Sequence, residues 1–161
     1  MAPWSEIVRG APELTDLAQR ILGAHRHKTI ATLRRDGSPR ISGIETRFAD
    51  GDLYVGSMWR AVKALDLRRD GRFALHSASP DPEPNGAFPE SQPGDAKIAG
   101  RMEEITDSER LDRVIGSAPG RSHLFRADIT ELVVITIGGD PPDHMLISAW
   151  HEGRGVTRLK R

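Results

Sequence analysis

The spacing of apolar residues first follows a helix and then a strand. Positions at helical spacing are Leu14, Leu17, Ala18, Ile21 and Leu22. Pro12 suits a first helical turn and Gly23 an end, so we predict an amphipathic helix over about residues 12–24. From residue 28 onward, apolar and polar residues alternate instead. This alternation predicts a half-buried strand over residues 28–34.

Two Asp-Gly pairs divide the next segment into antiparallel strands. The pair at 36–37 separates the first strand from a returning strand over residues 39–48. The pair at 50–51 precedes a third strand over residues 53–56. Asp-Gly is a strong hairpin signal because both residues tolerate the turn conformation. The pattern therefore predicts a three-stranded meander.

A second helix is predicted over about residues 59–68. Its apolar residues, which we expect to face the core, are Ala61, Val62, Ala64 and Leu65. Residues 70–71, another Asp-Gly pair, end this helix, and residues 72–77 predict a fourth strand. Because a helix intervenes, the fourth strand need not neighbour the third.

Residues 80–95 form a proline-rich segment that we predict to be a surface loop. Proline interrupts strand pairing, and a loop of this length is either a flexible insert or a lid over a site. Its single large apolar side chain, Phe88, favours a flexible insert.

The remaining chain returns to strands. They are predicted at 96–105, 132–137 and 144–150, with a short extended piece at 125–129 and a helix starting near Asp107. The tail after residue 150 is basic and contains two glycines. About seven strands and three helices in 161 residues predict one domain, residues 1–161, with a mainly antiparallel barrel or sandwich.

Composition excludes several classes of function. Lys plus Arg and Asp plus Glu number 23 each, so the net charge is zero, and we expect no nucleic-acid binding. Cysteine is absent, which removes disulfides, thiol catalysis and Cys-based zinc sites. No apolar run reaches the roughly 20 residues of a membrane span, and the N-terminus does not read as a signal peptide. We expect a soluble, cytoplasmic protein with no membrane association.

The junction between the third strand and the second helix predicts an anion site. Gly56 lets a ligand approach the backbone, and Ser57 is a candidate N-cap of the helix. Arg60 and Lys63 are three residues apart and can project from one helix face. Unpaired N–H groups at a helix start, together with two cations, suit a phosphate. The alternative is an ordinary strand-to-helix junction with solvated side chains.

Motifs for catalysis by side chains alone are missing. The sequence contains no Gly-x-Ser-x-Gly elbow, no helical His-x-x-x-His pair, no dinucleotide fingerprint and no P-loop. We assign no catalytic residue and no metal site. Polar side chains expected to converge on one end of a barrel are Arg40, Ser42, Thr46, Tyr54, Ser57, His76 and Ser77. A phosphate site without catalytic side chains points to a cofactor that carries the chemistry.

The order of these motifs resembles the pyridoxamine 5′-phosphate oxidase-like flavin-binding split barrels, particularly their flavin/deazaflavin oxidoreductase branch. The resemblance rests on Lys-Thr-Ile-Ala-Thr-Leu at 28–33, Asp-Gly-Ser-Pro-Arg at 36–40, and Asp-Gly-Asp-Leu-Tyr-Val-Gly-Ser at 50–57, followed by the helix with Arg60 and Lys63. It covers residues 12–79 and returns at 147–155. It implies a mainly β fold: a split barrel of antiparallel strands with flanking helices.

The resemblance also implies a homodimer with a flavin at each interface site. Arg60 and Lys63 would hold the cofactor phosphate, helped by Ser57. The ribityl chain and ring would be lined by residues 40–43, which include Arg40 and Ser42, and by residues 56–58, which include Gly56 and Met58. Ser77 would approach the phosphate or ribityl side. Trp150 would come from the partner and border the ring, with Arg154 or Arg158 nearby; the alternative is a core Trp150, just as Arg40 has the alternative of a solvated strand residue. The Arg-x-His-x-Arg pattern of the oxidases is absent.

The function implied is hydride transfer to or from a small organic substrate, with FMN or the deazaflavin coenzyme F-420 as cofactor. F-420 carries an acidic oligoglutamate tail that needs an extra basic groove, for which the candidates are Arg26, Arg34, Arg35 and Arg47. These arginines favour F-420. The alternatives are a flavin- or haem-binding carrier or sensor without turnover, and a structural domain whose cofactor site has decayed.

Overall fold

The computed structural model describes residues 2–161 and contains a long antiparallel sheet with helices at its sides. The helices are α1 (Trp4–Gly10), α2 (Pro12–Ala24), α3 (Val62–Arg69) and α4 (Ser108–Ile115). The strands are β1 (His27–Leu33), β2 (Pro39–Ala49), β3 (Asp52–Met58), β4 (Arg72–His76), β5 (Gly94–Ile105), β6 (Ser122–Gly138), β7 (His144–His151) and β8 (Gly155–Lys160).

The sheet closes on itself and then continues as an open extension. Its strand order is β3-β2-β1-β4-β5-β6-β7-β8, and a further pairing of β3 with β6 closes the first six strands of this order into a barrel. β6 is 17 residues long, so its first part can pair with β3 while its second part pairs with β7. All pairings between these strands are antiparallel. The predicted mainly β split barrel with flanking helices is confirmed.

The hydrophobic core fills the barrel and extends under α2. Fully buried strand residues of the interior include Ile30, Leu53, Val55, Ile98 and Leu132. The buried face of α2 consists of Leu14, Thr15, Ala18, Ile21 and Leu22. This is the stripe that helical periodicity predicted, except that Thr15 is added and Leu17 is only half-buried. Removing such side chains from water drives the packing of α2 onto the barrel.

Some elements differ from the predictions. α1 was not predicted; Trp4 and Ile7 anchor this seven-residue helix, which is too short to show a clear period. The pieces predicted at 125–129 and 132–137 are one strand, β6, because pairing with β5 continues past residue 129. The basic tail was not predicted to be structured, yet β8 forms there by pairing with β7.

Residues 77–93 contain no helix or strand, and β5 begins at Gly94, so the predicted loop extends two residues too far. The end of this segment is tied to its start. Gln92 is buried, and its side-chain amide donates a hydrogen bond to the carbonyl oxygen of Ala78. Within residues 2–161 no helix is both long and apolar enough to cross a membrane.

Candidate functional site

A groove of about 400 Å³ lies on the barrel wall where β2, β3 and the start of α3 meet. β2 contributes Gly43, Glu45 and Arg47, among others, and β3 contributes Gly56 and Met58. Strand alternation explains this set. The odd-numbered residues of β2 are its more exposed side, whereas the even-numbered ones, such as the buried Ile44, turn inward.

Basic side chains predominate in the groove. Lys63 comes from the first turn of α3, Arg121 from the segment before β6, Arg47 from β2 and His27 from β1. The only carboxylate among the lining residues, Glu45, is ion-paired with Arg26 at 2.9 Å. Among the ion pairs between described residues, none involves Lys63, Arg47 or Arg121. The groove therefore suits an anionic ligand.

The Lys63 side chain is held across the groove. Its Nζ donates a hydrogen bond to the carbonyl oxygen of Gly43 at 2.6 Å. Two of the three ammonium donors remain for other acceptors. The start of α3 has no capping side chain and no acid in its first turn, so its N–H groups and the helix dipole also favour a negative charge there.

The link between β3 and α3 differs from the prediction. β3 continues through Ser57 to Met58, and α3 starts only at Val62, with Ala61 as its N-cap. The predicted capping role of Ser57 is therefore wrong, as is the placement of Arg60 on the helix. Arg60 lies in the link with a φ of 60°, a left-handed conformation that is uncommon for a side chain of this size. The pairing of Met58 with Ser122 of β6 extends β3 past the glycine that was expected to end it.

The late start of α3 also changes which residues it buries. Val62 and Leu65, predicted to face the core, are 55% and 41% exposed. Ala64 is buried as predicted, and the other inward residues are Asp66 and Leu67. The prediction was wrong because Asp66 has buried polar partners on the neighbouring strands, which outweigh its own polarity.

His123 was not predicted as a site residue, yet it contacts the link between β3 and α3 from inside the protein. It is 1% exposed, and its Nε2 accepts a hydrogen bond from the backbone N–H of Arg60 at 3.1 Å. Its Nδ1 lies 2.6 Å from Oε1 of Glu104, and the Trp59 ring stacks on the imidazole at a centroid distance of 4.6 Å. No local motif could have revealed this contact, because residues 60 and 123 are brought together only by the pairing of β3 with β6.

Arg40 lies against α3 rather than in the groove. Its Nε donates to Oδ2 of Asp66 at 2.7 Å, and Asp66 also accepts hydrogen bonds from Thr32 and Arg69. Burial opposes ionisation of this carboxyl, but the three hydrogen bonds outweigh it, so the pKa of Asp66 lies below its usual value. This arrangement makes Arg40 a structural ion-pair partner of a 3% exposed aspartate.

The other predicted site residues divide between groove and interior. Gly56, Ser57 and Met58 line the groove, whereas Ser42 does not and belongs to the inward side of β2. Ser77 is 3% exposed, and its hydroxyl accepts a hydrogen bond from the Ala96 N–H at 3.1 Å. The predicted convergence of all these groups at one end of the barrel is therefore only partial.

Trp150 belongs to the core of its own chain. It is 8% exposed, lies in β7 opposite Leu132, and packs in the main hydrophobic cluster. Of the two tail arginines, Arg158 is ion-paired with Glu13 at 3.0 Å and Arg154 is exposed, and neither lines the groove. A role of Trp150 or of these arginines at a partner's site stays a prediction.

A second basic pocket, of about 330 Å³, continues from the groove. The two share Glu45, Thr46 and Arg47. Its other basic residues are His25, Arg26 and Lys28. Lys28 is 7% exposed, and burial lowers the pKa of its ammonium group although Glu45 acts in the opposite direction. Arg34 and Arg35, also predicted for a basic groove, line neither pocket.

The residues present fit a phosphate-bearing ligand. Ser57 lies along the groove, and its Oγ is a buried hydroxyl without a hydrogen-bond partner in the described chain. Gly43 has open space where a side chain would stand, so a ligand can approach the backbone there. Within residues 2–161 no three His, Cys, Asp or Glu side chains come close enough to hold a metal ion.

Comparisons with solved structures agree with this architecture. A pyridoxamine 5′-phosphate oxidase-related, FMN-binding protein of Nostoc punctiforme matches 100% of this chain and 98% of its own, with 13% identity and a TM-score of 0.60. PhzG of Burkholderia lata, in complex with tetrahydrophenazine-1-carboxylic acid, matches 86% of this chain and 82% of its own, with 12% identity and a TM-score of 0.57. An F-420 reductase matches 71% and 94% respectively, with 16% identity and a TM-score of 0.50.

No protein-family model and no curated protein matches the sequence. At identities of this size the structural matches show a shared fold. That fold is the split barrel of the pyridoxamine 5′-phosphate oxidase-like proteins, as the sequence resemblance implied.

Proposed function

We propose that this protein binds FMN or the deazaflavin coenzyme F-420 and works as an oxidoreductase that transfers hydride to or from a small organic molecule. The observation that carries the proposal is the position of Lys63. Its ammonium group has no acidic partner, lies at an uncapped helix start, and faces a groove in a barrel whose structural neighbours include an FMN-binding protein and an F-420 reductase.

The chain's own residues supply binding and orientation. Lys63 and the first N–H groups of α3 hold the phosphate, with the free Ser57 hydroxyl as a further donor. Arg60 does not line the groove, but its place in the preceding link allows its long side chain to add a second positive charge. Gly43 and Gly56 leave the wall flat enough for the ribityl chain and the ring. The cofactor, when bound, supplies the hydride chemistry.

The second basic pocket favours F-420 over FMN. It continues from the groove and contributes Arg26 and Lys28 beyond the shared Arg47. FMN ends at its phosphate, whereas the oligoglutamate tail of F-420 extends beyond it and needs cations. The pocket adjoins the groove and supplies such cations, although Glu45 neutralises Arg26.

Titration of the purified protein with FMN and with F-420, side by side, tests the proposal. We expect saturable absorbance or fluorescence changes with at least one of them, and tighter binding of F-420. If neither binds at tens of micromolar, the proposal is wrong. If only FMN binds, the deazaflavin assignment fails while the flavin site stands.

A carrier or sensor without turnover is the second candidate function. It is favoured by the state of the groove's only carboxylate: Glu45 is paired with Arg26 and is not a free acid or base. The two candidates differ in turnover. An oxidoreductase exchanges hydride with a substrate panel much faster than the free cofactor does, whereas a carrier changes this rate little.

We also propose that the protein is a homodimer with its cofactor site at the interface. Five large apolar side chains are exposed on the elements that form the groove, namely β2, the end of β3, the link and α3: Ile41, Met58, Trp59, Val62 and Leu65. Exposed apolar residues grouped in this way are typical of an interaction surface. A second copy that covers them would also shield the groove from water.

Light scattering coupled to size exclusion measures this assembly. We expect twice the chain mass of 17.7 kDa for the wild type. Leu65→Lys should shift the population toward monomer, because it places a charge in an apolar contact. Gln19→Lys, on the exposed side of α2, adds the same charge outside this surface and is the control. A monomeric wild type contradicts the proposal.

A further inference from the structure

One ion pair and two hydrogen bonds connect α3 to the Arg60 link. Arg68 Nε lies 2.9 Å from Oε2 of Glu104, and the other oxygen of Glu104 lies 2.6 Å from Nδ1 of His123. Nε2 of His123 then accepts the N–H of Arg60 at 3.1 Å. Three elements, α3, β5 and β6, are thus connected to one backbone group.

The protonation state of His123 follows from its two partners. A backbone N–H can only donate, so Nε2 must accept and carries no proton. Nδ1 then carries the proton and donates it to the Glu104 carboxylate. The ring cannot turn over without breaking both bonds, and the rings of Trp59 and Phe125 enclose it at centroid distances of 4.6 and 6.0 Å.

The held backbone is strained. Arg60 has a φ of 60°, and such a conformation costs free energy for a residue with a long side chain. The N–H of the next residue, Ala61, donates to the Met58 carbonyl oxygen at 3.1 Å, which closes a tight turn. The turn leads directly from groove-lining Met58 to groove-lining Lys63 through Arg60, so its shape decides where Lys63 stands.

We propose that His123 is a positioning residue for the anion site, acting through the backbone of Arg60. By accepting the Arg60 N–H, it holds the turn in its left-handed shape and thereby fixes where α3 begins and where Lys63 stands at the groove. This inference rests on the proposed flavin site. His123 itself is buried beneath the turn and does not line the groove.

Substitution of His123 by Gln or by Asn tests its hydrogen bonds to Arg60 and to Glu104 separately. Gln carries its side-chain amide near the position of Nε2 and can still accept the Arg60 N–H. Asn carries its amide near the position of Nδ1, so it keeps the Glu104 contact but does not reach Arg60. The two variants lose similar packing against Trp59 and Phe125, which makes His123→Gln the matched control for His123→Asn.

The measurement compares FMN with riboflavin, which lacks only the phosphate. We expect His123→Asn to lower FMN affinity about tenfold, the size of one lost charge-assisted contact, and to leave riboflavin affinity nearly unchanged. His123→Gln should keep most of the wild-type preference for FMN. In a Lys63→Ala background, His123→Asn should lower FMN affinity by much less, because both changes act on the same contact.

Each result decides between the possibilities. If wild-type protein binds FMN and His123→Asn leaves its affinity unchanged, or lowers FMN and riboflavin affinity equally, the inference is overturned and the proposed function stands. Equal losses of FMN preference in the Asn and Gln variants overturn it too, because they indicate general loosening. A wild type that binds neither flavin nor F-420 overturns the proposed function, and this inference with it.

Discussion

The charged groups on the two sides of α3 differ in whether the protein itself supplies their partners. On the inner side, the carboxylate of Asp66 is 3% exposed and is met by Arg40 at 2.7 Å, Arg69 at 3.0 Å and Thr32 at 3.1 Å. On the outer side, Lys63 bonds only to a backbone carbonyl, and the groove around it is rich in cations. Asp66 and Lys63 nevertheless belong to the same eight-residue helix.

The difference separates a structural charge cluster from a binding site. A buried charge is stable only when protein groups satisfy it, so the Asp66 cluster leaves no capacity for a ligand. The groove keeps donors in excess of acceptors, together with the unpaired Ser57 hydroxyl. Arg40 and Lys63, both predicted to bind the cofactor, fall on opposite sides of this division.

Asp66→Ala should have the largest effect on stability. It leaves the guanidinium of the half-buried Arg40 without its partner, and breaking a buried pair of this kind costs about 3 kcal/mol. Urea unfolding measures the loss. Asp70→Ala is the control, because it breaks the more exposed pair with Arg72 and should cost far less. Equal losses in the two variants would show that the Asp66 cluster is not a structural centre.

The same cluster predicts a dependence of stability on pH. Because the pKa of Asp66 is lowered in the folded state, its contribution is fully present above the unfolded value of about 3.9 and is lost as pH falls through the folded value. The gap in unfolding free energy between wild type and Asp66→Asn should therefore be widest near neutral pH and narrow below about pH 4. A gap that stays constant down to pH 2 contradicts this assignment.

Lys63→Ala should affect binding and spare stability. Loss of one charge-assisted hydrogen bond to phosphate costs roughly 1.5 to 3 kcal/mol, which is about ten- to a hundredfold in affinity. The flavin titration measures the loss, and unfolding in urea should change little. Lys97→Ala removes the same charge outside the groove and should bind like wild type. Equal affinity in the two variants would show that the phosphate does not bind at Lys63.

Arg60→Ala should weaken binding at the lower end of that range, about tenfold. Arg60 is exposed, stands before the helix rather than on it, and is held only through its backbone. Addition of salt should reduce its contribution more than that of the half-buried Lys63, because exposed charges are screened more strongly. Titrations at two salt concentrations compare the variants, and equal salt dependence would contradict this ranking.

Much of the fold was predictable because its signals are local. The Asp-Gly turns, the alternation of β1 and β2, and the apolar stripe of α2 each depend on residues close in sequence. The unpredicted elements lack such signals. β8 is exposed at all six positions and exists through its pairing with β7, and α1 is stabilised by the burial of Trp4 and Ile7.

The candidate site was predictable in part. Lys63, Gly56, Ser57 and Met58 line the groove because all belong to one strand-to-helix junction that was visible in the chain. Arg40 and Ser77 have the right chemistry for a ligand site, but their partners are Asp66 and the Ala96 N–H. Sequence alone does not show whether a polar side chain already has a partner inside the protein.

By itself, the sequence determined the meander, the main helix α2 and the cation at Lys63, since turn chemistry and periodicity act over a few residues. Only the tertiary structure decided that β3 extends to Met58, that α3 begins at Val62, and that His123 supports Arg60. These outcomes depend on the pairing of β3 with β6, more than 60 residues apart in the chain. The physical reason is that closing the barrel brings together backbone and side-chain partners that no local pattern records.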